Sequence, residues 1–222
     1  MQNTAIVIQT CDKYEFLWQG WYYYFMKYWD DEIPCEIYFC TEQINPKWDH
    51  GLRPLFPYIV HVGMGEWGER LLRILNNLPN NIDTVFYMQE DFWLHRTLPK
   101  KVFESRLKMF RDWDMDAYRC CILSKHFKLV GKYPPQLFAI DSPYLLTHQA
   151  SFWKRNFFQD CVLPHETAWE NEKRGTERIM KAGNHRIYFA PFNFYHAVCC
   201  KGKLTDLGRQ LDAEAKYRTD SI

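Results

Sequence analysis

The sequence predicts an α/β protein, a three-layer αβα sandwich in which helices cover both faces of a mixed, mostly parallel sheet. Short apolar segments rich in β-forming residues alternate with amphipathic segments of helical period, which is the pattern of βαβ units. Several of the apolar segments end abruptly in polar residues. In open α/β sheets the carboxyl ends of the strands are where ligands bind, so these ends predict the position of a site.

The first half of the chain is predicted to contain strands at Thr4–Gln9, 35–40, 58–62 and 83–93 and helices at 15–29 and 66–75. The helix at 66–75 is predicted because Trp67, Leu71 and Leu75 recur every four residues. The strand within 83–93 is predicted because 85–88 is a continuous run of apolar β-formers. This strand is the one around which the other elements are expected to be arranged.

The second half is predicted to contain helices at 99–113, 149–158 and 169–181 and strands at 117–123, 137–140, 186–190 and 193–200. Thr147 or His148 is expected to cap the helix at 149–158, and Gly183 is expected to end the helix at 169–181. No internal repeat or domain boundary is evident. We therefore predict one domain over 1–222, with 204–222 a polar tail or a linker to further C-terminal domains.

Composition excludes several classes of function. The net charge is +1 and no basic block occurs, so no nucleic-acid partner is expected. The aromatic segment 16–29 is too short and too polar to span a membrane. No leader-like start is evident, which predicts a cytoplasmic protein, in the host cytoplasm if the chain is viral. The eight cysteines form no CxxC pair, so structural zinc is not expected and reduced thiols are.

Polar side chains follow three of the predicted strands. Thr10, Cys11 and Asp12 follow the first strand, Thr41 and Glu42 follow the second, and Gln89, Glu90 and Asp91 follow the central one. Adjacent carboxylates at the end of a buried strand are costly unless a cation, a donor or water meets them. The sequence therefore predicts one crevice that binds a divalent metal or a sugar hydroxyl, with an ordinary polar strand exit as the alternative interpretation.

Common catalytic signatures do not account for this site. The sequence contains no GxGxxG, no GxxxxGK[ST] and no GxSxG, so dinucleotide-binding, P-loop and hydrolase-elbow sites have no support. Aromatic residues make up 18% of the chain. Flat rings with polar edges suit sugar ligands, although most of them are expected to belong to the core.

A family resemblance supplies a more specific interpretation. The segments that carry it are, in chain order, TCDKYEFLW, EWGERLLRIL, TVFYMQEDFWL, LLTHQASFW and TAWENE. Together they resemble glycosyltransferases of the GT-A type, also described as nucleotide-diphospho-sugar transferase-like. The resemblance is to the small domains of capsule enzymes and of large DNA-virus (chlorovirus-like) capsid glycosyltransferases. It covers roughly nine-tenths of the chain.

The resemblance implies a metal site at the end of the central strand. The family's DxD motif binds Mn²⁺ or Mg²⁺, which bridges the diphosphate of a nucleotide sugar. This chain has Gln89-Glu90-Asp91, so only Asp91 matches an acid of the motif, and Gln89 puts the metal requirement in question. A hard dication prefers oxygen ligands, and one carboxylate, two phosphates and water can complete its shell. His196 is the candidate C-terminal metal ligand, with a packed histidine as the alternative.

The resemblance also implies roles for residues on the nucleotide side. Thr10, Cys11, Asp12 and Tyr14 at the first strand end would meet the nucleoside, with Asp12 accepting from uracil or ribose. A capping or turn role is the alternative for Asp12. Trp67 and Arg70 on one helix face would lie beside the nucleotide, and a surface ion pair is the alternative for Arg70. Glu90, Lys201 and Lys203 complete the candidate nucleotide-sugar contacts, because lysines flanking a glycine suit a diphosphate.

The late segment is implied to serve the sugar and the acceptor. His148, Gln149 and Trp169 are candidate nucleotide-sugar contacts. Glu172 is the first candidate, and Glu170 the second, for a general base on the acceptor hydroxyl or for stabilising an oxocarbenium-like centre. A solvated helix charge is the alternative for each.

We therefore predict a glycosyltransferase of the hexosyltransferase type that uses a UDP-sugar, with Mn²⁺ or Mg²⁺ assisting departure of the diphosphate. The expected acceptor is a glycan or glycoprotein. Two alternatives stay open: a non-catalytic carbohydrate-binding module of the same fold and a sugar nucleotidyltransferase.

Overall fold

The computed structural model describes residues 3–47, 57–120, 126–191 and 194–219. Its strands are β1 (Thr4–Gln9), β2 (Glu36–Thr41), β3 (Tyr58–His61), β4 (Thr84–Gln89), β5 (Phe92–Leu94), β6 (Ala117–Arg119), β7 (Leu129–Val130), β8 (Gln136–Phe138), β9 (Ser151–Lys154), β10 (Ile187–Phe189), β11 (Tyr195–Ala197), β12 (Cys199–Cys200) and β13 (Lys203–Leu204). Its helices are α1 (Trp18–Tyr28), α2 (Trp67–Asn77), α3 (Lys100–Asp112), α4 (Arg155–Cys161), α5 (Ala168–Ala182) and α6 (Asp206–Thr219).

Within these ranges the main sheet has the strand order β3-β2-β1-β4-β9-β6-β10-β8-β7. Strands β3, β2, β1 and β4 are mutually parallel, and β6 and β10 are parallel to each other. Strand β9 lies between β4 and β6 and runs antiparallel to both. The predicted fold class, a mixed and mostly parallel sheet between helical layers, is confirmed.

The residues of β1 show why helices cover both faces of the sheet. Ile6 and Ile8 belong to one buried cluster, which α1 and α3 cover. Ala5 and Val7 point the other way, into a second cluster covered by α2, α4 and α5. A strand buried on both faces reads as a continuous apolar run, which is what made β1 and β4 recognisable in the sequence.

The helix predicted at 149–158 is wrong for its first half. Residues 151–154 form β9, and the helix α4 begins only at Arg155. The reason is that Phe152 packs into one buried cluster and Trp153 into the other, which is the two-residue alternation of a strand. Thr147 and His148 therefore cap no helix at 149; the hydroxyl of Thr147 and the backbone N–H of His148 both donate to Glu172, each at 2.9 Å.

The helix predicted at 169–181 is confirmed as α5, with ends close to those expected. Thr167 is its N-cap and forms a reciprocal capping box with Glu170. Gly183 ends the helix in the left-handed conformation, with φ 73°. The two ends therefore fix the position of Ala168, Trp169 and Glu172.

The segment after Leu204, expected as a polar tail or linker, is mostly helical in the structure. Residues 206–219 form α6, and Ala215 is fully buried against the rest of the chain. The hydroxyl of Tyr24 on α1 lies 3.2 Å from the carbonyl oxygen of Leu211 and 3.0 Å from Oε2 of Glu214. Polar composition was misleading because α6 presents only a narrow buried stripe.

Two predicted strands extend beyond the described residues. The part of 117–123 after Cys120 and residue 193 of the strand at 193–200 lie outside them. The cysteines that the structure describes are free thiols. Among the described residues, no helix combines the length and the apolar character that crossing a membrane requires.

Candidate active site

A cleft of about 260 Å³ opens at the carboxyl ends of β1 and β4. The lining residues come from five parts of the chain: Gln9, Thr10, Cys11, Tyr14 and Leu17; Trp67 and Arg70; Gln89, Glu90 and Asp91; Ala168; and Cys199, Lys201 and Gly202. Strands β1 and β4 are parallel neighbours in a register that pairs Gln9 with Gln89. The polar residues that follow each strand therefore lie side by side, as expected from the sequence.

The adjacent carboxyl groups of Glu90 and Asp91 dominate the cleft. Glu90 is only 5% exposed, and burial followed by the neighbouring charge of Asp91 raises its pKa well above the usual range. Burial raises the pKa of Asp91 to about 7, and the charge of Glu172 adds to that shift. Oδ1 of Asp91 is buried and has no hydrogen-bond partner among the described residues. A buried oxygen of this kind is available to a cation or to a hydrogen-bond donor.

Thr10 is held at the end of β1 by a buried neighbour. The indole N–H of Trp18 donates to Oγ1 of Thr10 at 2.5 Å, and Trp18 is itself buried. The Thr10 hydroxyl lies 3.4 Å from the carbonyl oxygen of Cys11. Thr10 also acts to lower the pKa of Glu90, against the larger effect of burial. The first strand end therefore favours the ionised form of one cleft carboxyl group.

Arg70 lies at the wall of the cleft with its charge already paired. Its Nη1 donates to the carbonyl oxygen of Thr10 at 2.9 Å and lies 3.2 Å from Oε1 of Glu42. Both side chains are nearly buried, at 8% and 11% exposure. Arg70 thus joins the ends of β1 and β2 to α2, and the exposed ion pair considered from helix spacing is not formed.

Asp12 is placed differently from its implied contact with a nucleoside. Its carboxylate accepts the backbone N–H groups of Glu42, Gln43 and Ile44 at 3.1 to 3.3 Å. Asp12 is not among the residues that line the cleft. The side chain therefore closes the loop after β2, which is the turn role considered as the alternative.

The late acidic residues separate into two positions. Glu172 accepts from Thr147 and His148 through Oε1, and its charge is felt at Asp91 and at the buried Tyr87. Glu170 instead completes the capping box of α5 and pairs with Arg174 at 3.4 Å. Of the two, only Glu172 is electrostatically coupled to the cleft, so Glu170 is assigned to helix capping.

Trp169 follows the cleft residue Ala168 and is 62% exposed. The ammonium of Lys173 lies 3.5 Å from the centre of its ring, a cation–π contact. Gln149 is half-buried and is not a lining residue. The exposed indole therefore stands at the rim of the cleft rather than inside it.

His148 is buried behind the cleft rather than exposed in it. Its ring lies 4.1 Å from that of Trp67, and its Nε2 is 3.1 Å from Oδ1 of Asn171. The amide of Asn171 donates to Glu166, so its oxygen is the acceptor and Nε2 of His148 carries the proton. Trp67 does line the cleft, so His148 supports that wall without reaching the interior.

We expect His148 to make the protein less stable in acid. Burial lowers its pKa from 6.5 to about 3. Between these two pH values the histidine is protonated in the unfolded chain and neutral in the folded chain. Stability should fall by about 1.4 kcal/mol per pH unit between about pH 6.5 and pH 3 from this group. The raised pKa of Asp91 has the opposite effect, since it makes the folded chain more stable as pH falls. The effect of His148 is therefore measured as the difference in stability between the wild type and a variant without the histidine.

Urea unfolding of the wild type and of His148→Gln, compared from pH 7 to pH 4, isolates the histidine. Gln149→Ala, next to it on the chain, is the control. Equal slopes of stability against pH for wild type and His148→Gln would contradict the assignment.

The C-terminal candidates also separate. Lys201 and Lys203 are both exposed, but only Lys201, at the turn between β12 and β13, lines the cleft. Lys201 and Gly202 both have positive φ, 50° and 77°, which is the geometry of a tight two-residue hairpin. His196 stacks on His95 at 3.8 Å and is not a lining residue. The chain brings Cys199, not His196, to the cleft, because β11 pairs with β5 and directs His196 elsewhere.

The cleft suits a divalent metal in part. Glu90 and Asp91 supply hard oxygen donors, and Oδ1 of Asp91, which no described side chain or backbone group engages, is available as a ligand atom. No group of three or more His, Cys, Asp or Glu side chains that could hold a metal occurs among the described residues. Ions such as Mg²⁺ are commonly held by one or two carboxylates and the phosphates of a substrate, so these two carboxylates fit a substrate-bridged ion.

Several lining residues were not predicted. Gln9 accepts from the Tyr87 hydroxyl at 2.9 Å and donates to the carbonyl of Trp67 at 3.1 Å, which ties β4, β1 and α2 together. Ala168, Cys199 and Gly202 carry no functional signal in isolation. The T-x-x-E capping box was the one sequence signal that could have placed a helix start, and hence Ala168, at the cleft.

Comparison with known proteins gives a fold relationship. No protein-family model and no curated protein matches the sequence. S. aureus TarS 1-349 in complex with UDP-GlcNAc is similar over 92% of this chain and 60% of that one, with TM-score 0.59 and 11% identity. Mannosyltransferase PcManGT from Pyrobaculum calidifontis, in complex with GDP-Man and Mn²⁺, is similar over 90% and 58%, with TM-score 0.61 and 11% identity.

A third similar structure is 4-diphosphocytidyl-2C-methyl-D-erythritol synthase from Anaerococcus prevotii. The similarity covers 98% of this chain and 98% of that one, with TM-score 0.51 and 10% identity. This chain spans about three-fifths of the TarS and mannosyltransferase chains, 60% and 58%. At these identities the likeness is one of fold, the nucleotide-diphospho-sugar transferase type.

Proposed function

We propose that this chain is a glycosyltransferase that transfers a sugar from a nucleotide sugar to a hydroxyl of a glycan or glycoprotein. The observation that carries the proposal is the cleft in which Glu90 and Asp91 at the end of β4 lie with Lys201. This fold has similar structures that hold UDP-GlcNAc and GDP-Man. A UDP-sugar is the proposed donor, and a closer relationship to capsule or capsid enzymes stays a prediction.

The electrostatics of the cleft support a diphosphate donor with a dication. Two cations, Arg70 and Lys201, line the cleft. Arg70 forms an ion pair with Glu42, whereas Lys201 forms none with a described carboxylate. When bound at Asp91, Mn²⁺ or Mg²⁺ would supply neutralisation of the charge on the departing diphosphate. Thr10 favours the ionised form of Glu90, and the ammonium of Lys201 would donate to a phosphate oxygen of the donor.

Glu172 is the proposed general base on the acceptor hydroxyl. It lies on α5 three residues after Trp169, and Thr147 and His148 hold its Oε1 in a fixed position. Its charge contributes to the raised pKa of Asp91, which supports a position close to the cleft, although Glu172 is not itself a lining residue. A base must come within hydrogen-bond reach of the proton it takes, so the proposal requires the acceptor to bind next to Glu172.

A screen for nucleotide release tests the function. The purified chain is incubated with UDP-, GDP- and dTDP-sugars and a panel of glycans, with and without Mn²⁺. Release of nucleotide together with a glycosylated product supports transfer. Absence of UDP binding in calorimetry with Mn²⁺ would favour the carbohydrate-binding alternative, and pyrophosphate production from a sugar phosphate and a nucleoside triphosphate would show a nucleotidyltransferase.

Lys201→Ala should weaken the donor specifically. Loss of a charge-assisted hydrogen bond is worth about 1.5–3 kcal/mol, so the KM for the donor should rise roughly tenfold or more. Lys203→Ala, two residues along the same hairpin and outside the cleft, is the matched control and should change KM little. Equal effects of the two variants would remove Lys201 from the site.

Trp169→Ala should weaken the acceptor instead. The exposed indole offers a flat face for a sugar ring. On the scale of an aromatic ring pair, about 0.5–1.5 kcal/mol, its loss should raise the acceptor KM roughly twofold to tenfold. Trp113→Ala removes another exposed tryptophan, 49% accessible, that does not line the cleft. A change in donor KM rather than acceptor KM for Trp169→Ala would contradict this placement.

A further inference from the structure

The hairpin that carries Lys201 has little to hold it in place on its own. It comprises β12, the turn at Lys201 and Gly202, and β13, paired only as Cys199 with Leu204 and Cys200 with Lys203. A short isolated hairpin is marginally stable in water. We call residues 199–204 the cleft hairpin, because Cys199, Lys201 and Gly202 form one wall of the cleft. Its position must be set by its neighbours.

The base of the cleft hairpin is fixed at Val198, which is fully buried. The N–H of Val198 donates to the carbonyl oxygen of Asp91 at 2.9 Å, which attaches the hairpin to the end of β4. The carbonyl of Val198 accepts the N–H of Thr205 at 2.9 Å and its hydroxyl at 3.3 Å. Thr205 also accepts the N–H of Gly208 at 2.9 Å and so caps α6.

Gly208 shows how closely α6 approaches this point. A Cβ atom at Gly208 would lie 2.1 Å from the carbonyl oxygen of Val198, a distance that no side chain tolerates. The first turn of α6 and the base of the cleft hairpin are therefore in direct backbone contact. A displacement of α6 must move the hairpin with it.

The far end of α6 is attached to α1 by a polar contact. Oε1 of Glu214 pairs with Lys27 at 3.0 Å, and Oε2 lies 3.0 Å from the Tyr24 hydroxyl. The ammonium of Lys27 also lies 5.1 to 5.6 Å from the ring centres of three tyrosines of α1, namely Tyr23, Tyr24 and Tyr28. Ala215 is buried beside this contact. We call Tyr24, Lys27 and Glu214 the α1–α6 contact.

We propose that α6 is a positioning element for the cleft: the α1–α6 contact holds the helix, and the helix holds the cleft hairpin and Lys201 against Asp91. The chain of contacts runs without a gap from Glu214 through α6, Thr205 and Val198 to the end of β4. None of the three residues of the α1–α6 contact lines the cleft, so they act through position alone. Residues 206–219 are therefore required for the site rather than dispensable.

The test uses the full chain with Tyr24→Phe/Glu214→Gln, which removes the Tyr24 hydroxyl and the charge of Glu214 while preserving side-chain shape. Asp112→Asn, which removes the exposed Lys108–Asp112 pair on α3, is the matched control. Amide hydrogen exchange is measured at Val198, Leu204 and Thr205. We expect exchange there to accelerate about tenfold in the double variant and to stay unchanged in the control, because a lost hydrogen-bonded contact is worth about one power of ten.

Binding of UDP with Mn²⁺ and donor kinetics form the second readout, which rests on the proposed function. We expect the KM for the donor to rise about tenfold with kcat unchanged at saturation. Gly208→Ala places a methyl group against the carbonyl oxygen of Val198, at the opposite end of α6 from Glu214. It should likewise raise the donor KM and leave kcat unchanged. If it fails to fold, the double variant alone decides.

The outcomes are distinguishable. Unchanged exchange at the cleft hairpin in the double variant would overturn the positioning role, as would faster exchange with an unchanged donor KM. If the wild type binds no nucleotide, the proposed function fails, and the structural part of the inference is then decided by the exchange rates alone.

Discussion

Replacing Asp91 with asparagine is expected to lower nucleotide-sugar turnover by about a hundredfold or more while leaving the fold intact. Asp91 offers a buried oxygen that no group in the described part of the chain engages, and it is the proposed ligand of the dication. Asparagine keeps the size of the side chain and removes its charge. Loss of transition-state charge stabilisation of several kcal/mol corresponds to a fall of this size.

The same substitution separates activity from stability. The pKa of Asp91 is raised by burial to about 7, so the ionised carboxyl destabilises the folded chain above that pH. A carboxyl with a raised folded pKa loses stability as pH rises from its unfolded value, near 3.8, through 7. At pH 8, Asp91→Asn should therefore be at least as stable as the wild type, and thermal unfolding measures this directly.

Asp112→Asn serves as the control, since Asp112 is exposed on α3 and pairs only with Lys108 among the contacts described. It should retain wild-type turnover. Full turnover by Asp91→Asn would exclude Asp91 from the mechanism. A loss of turnover accompanied by a lower midpoint of unfolding would show instead that Asp91 is needed for the fold.

Arg70→Met is expected to produce the largest loss of stability among the variants considered, about 3–5 kcal/mol in the free energy of unfolding. The substitution leaves the carboxylate of Glu42, 11% exposed, without its cation. Breaking a buried ion pair by removing one partner costs this much because the remaining charge is both dehydrated and uncompensated. It also removes a donor from the carbonyl oxygen of Thr10.

The double variant Arg70→Met/Glu42→Leu distinguishes an ion-pair effect from a packing effect. Replacing both charges by apolar side chains should recover at least half of the loss, because no buried charge is left. Urea unfolding at pH 7 measures both variants against the wild type. A double variant no more stable than Arg70→Met alone would assign the loss to packing at the end of β1.

The predictable part of the site was the part set by strand register. Thr10, Cys11, Glu90 and Asp91 could be brought together in advance because parallel neighbours end at the same edge of a sheet. Apolar runs buried on both faces identify such strands without any tertiary information. The core of the cleft follows from this local pattern alone.

The residues that were misjudged depend on tertiary contacts. The apolar pair Phe152 and Trp153 is compatible with a helix or a strand. The structure shows a strand because the two side chains pack into buried clusters on opposite faces of the sheet. Asp12 and Glu170 are acidic residues near a site, but both carboxylates accept hydrogen bonds from backbone N–H groups and so have structural roles. Lys201 and Lys203 are indistinguishable in sequence, since only the turn geometry directs one of them to the cleft.

Strand β9 has a consequence for how the chain reaches its native state. It is the antiparallel partner of β4, yet it is made only after α3, β6 and the β7–β8 hairpin. Until it arrives during synthesis on the ribosome, the apolar β4 offers an open hydrogen-bonding edge of the kind that captures other nascent chains. Fragments that stop before Ser151 should therefore aggregate, and a soluble product should require the chain to extend past Lys154.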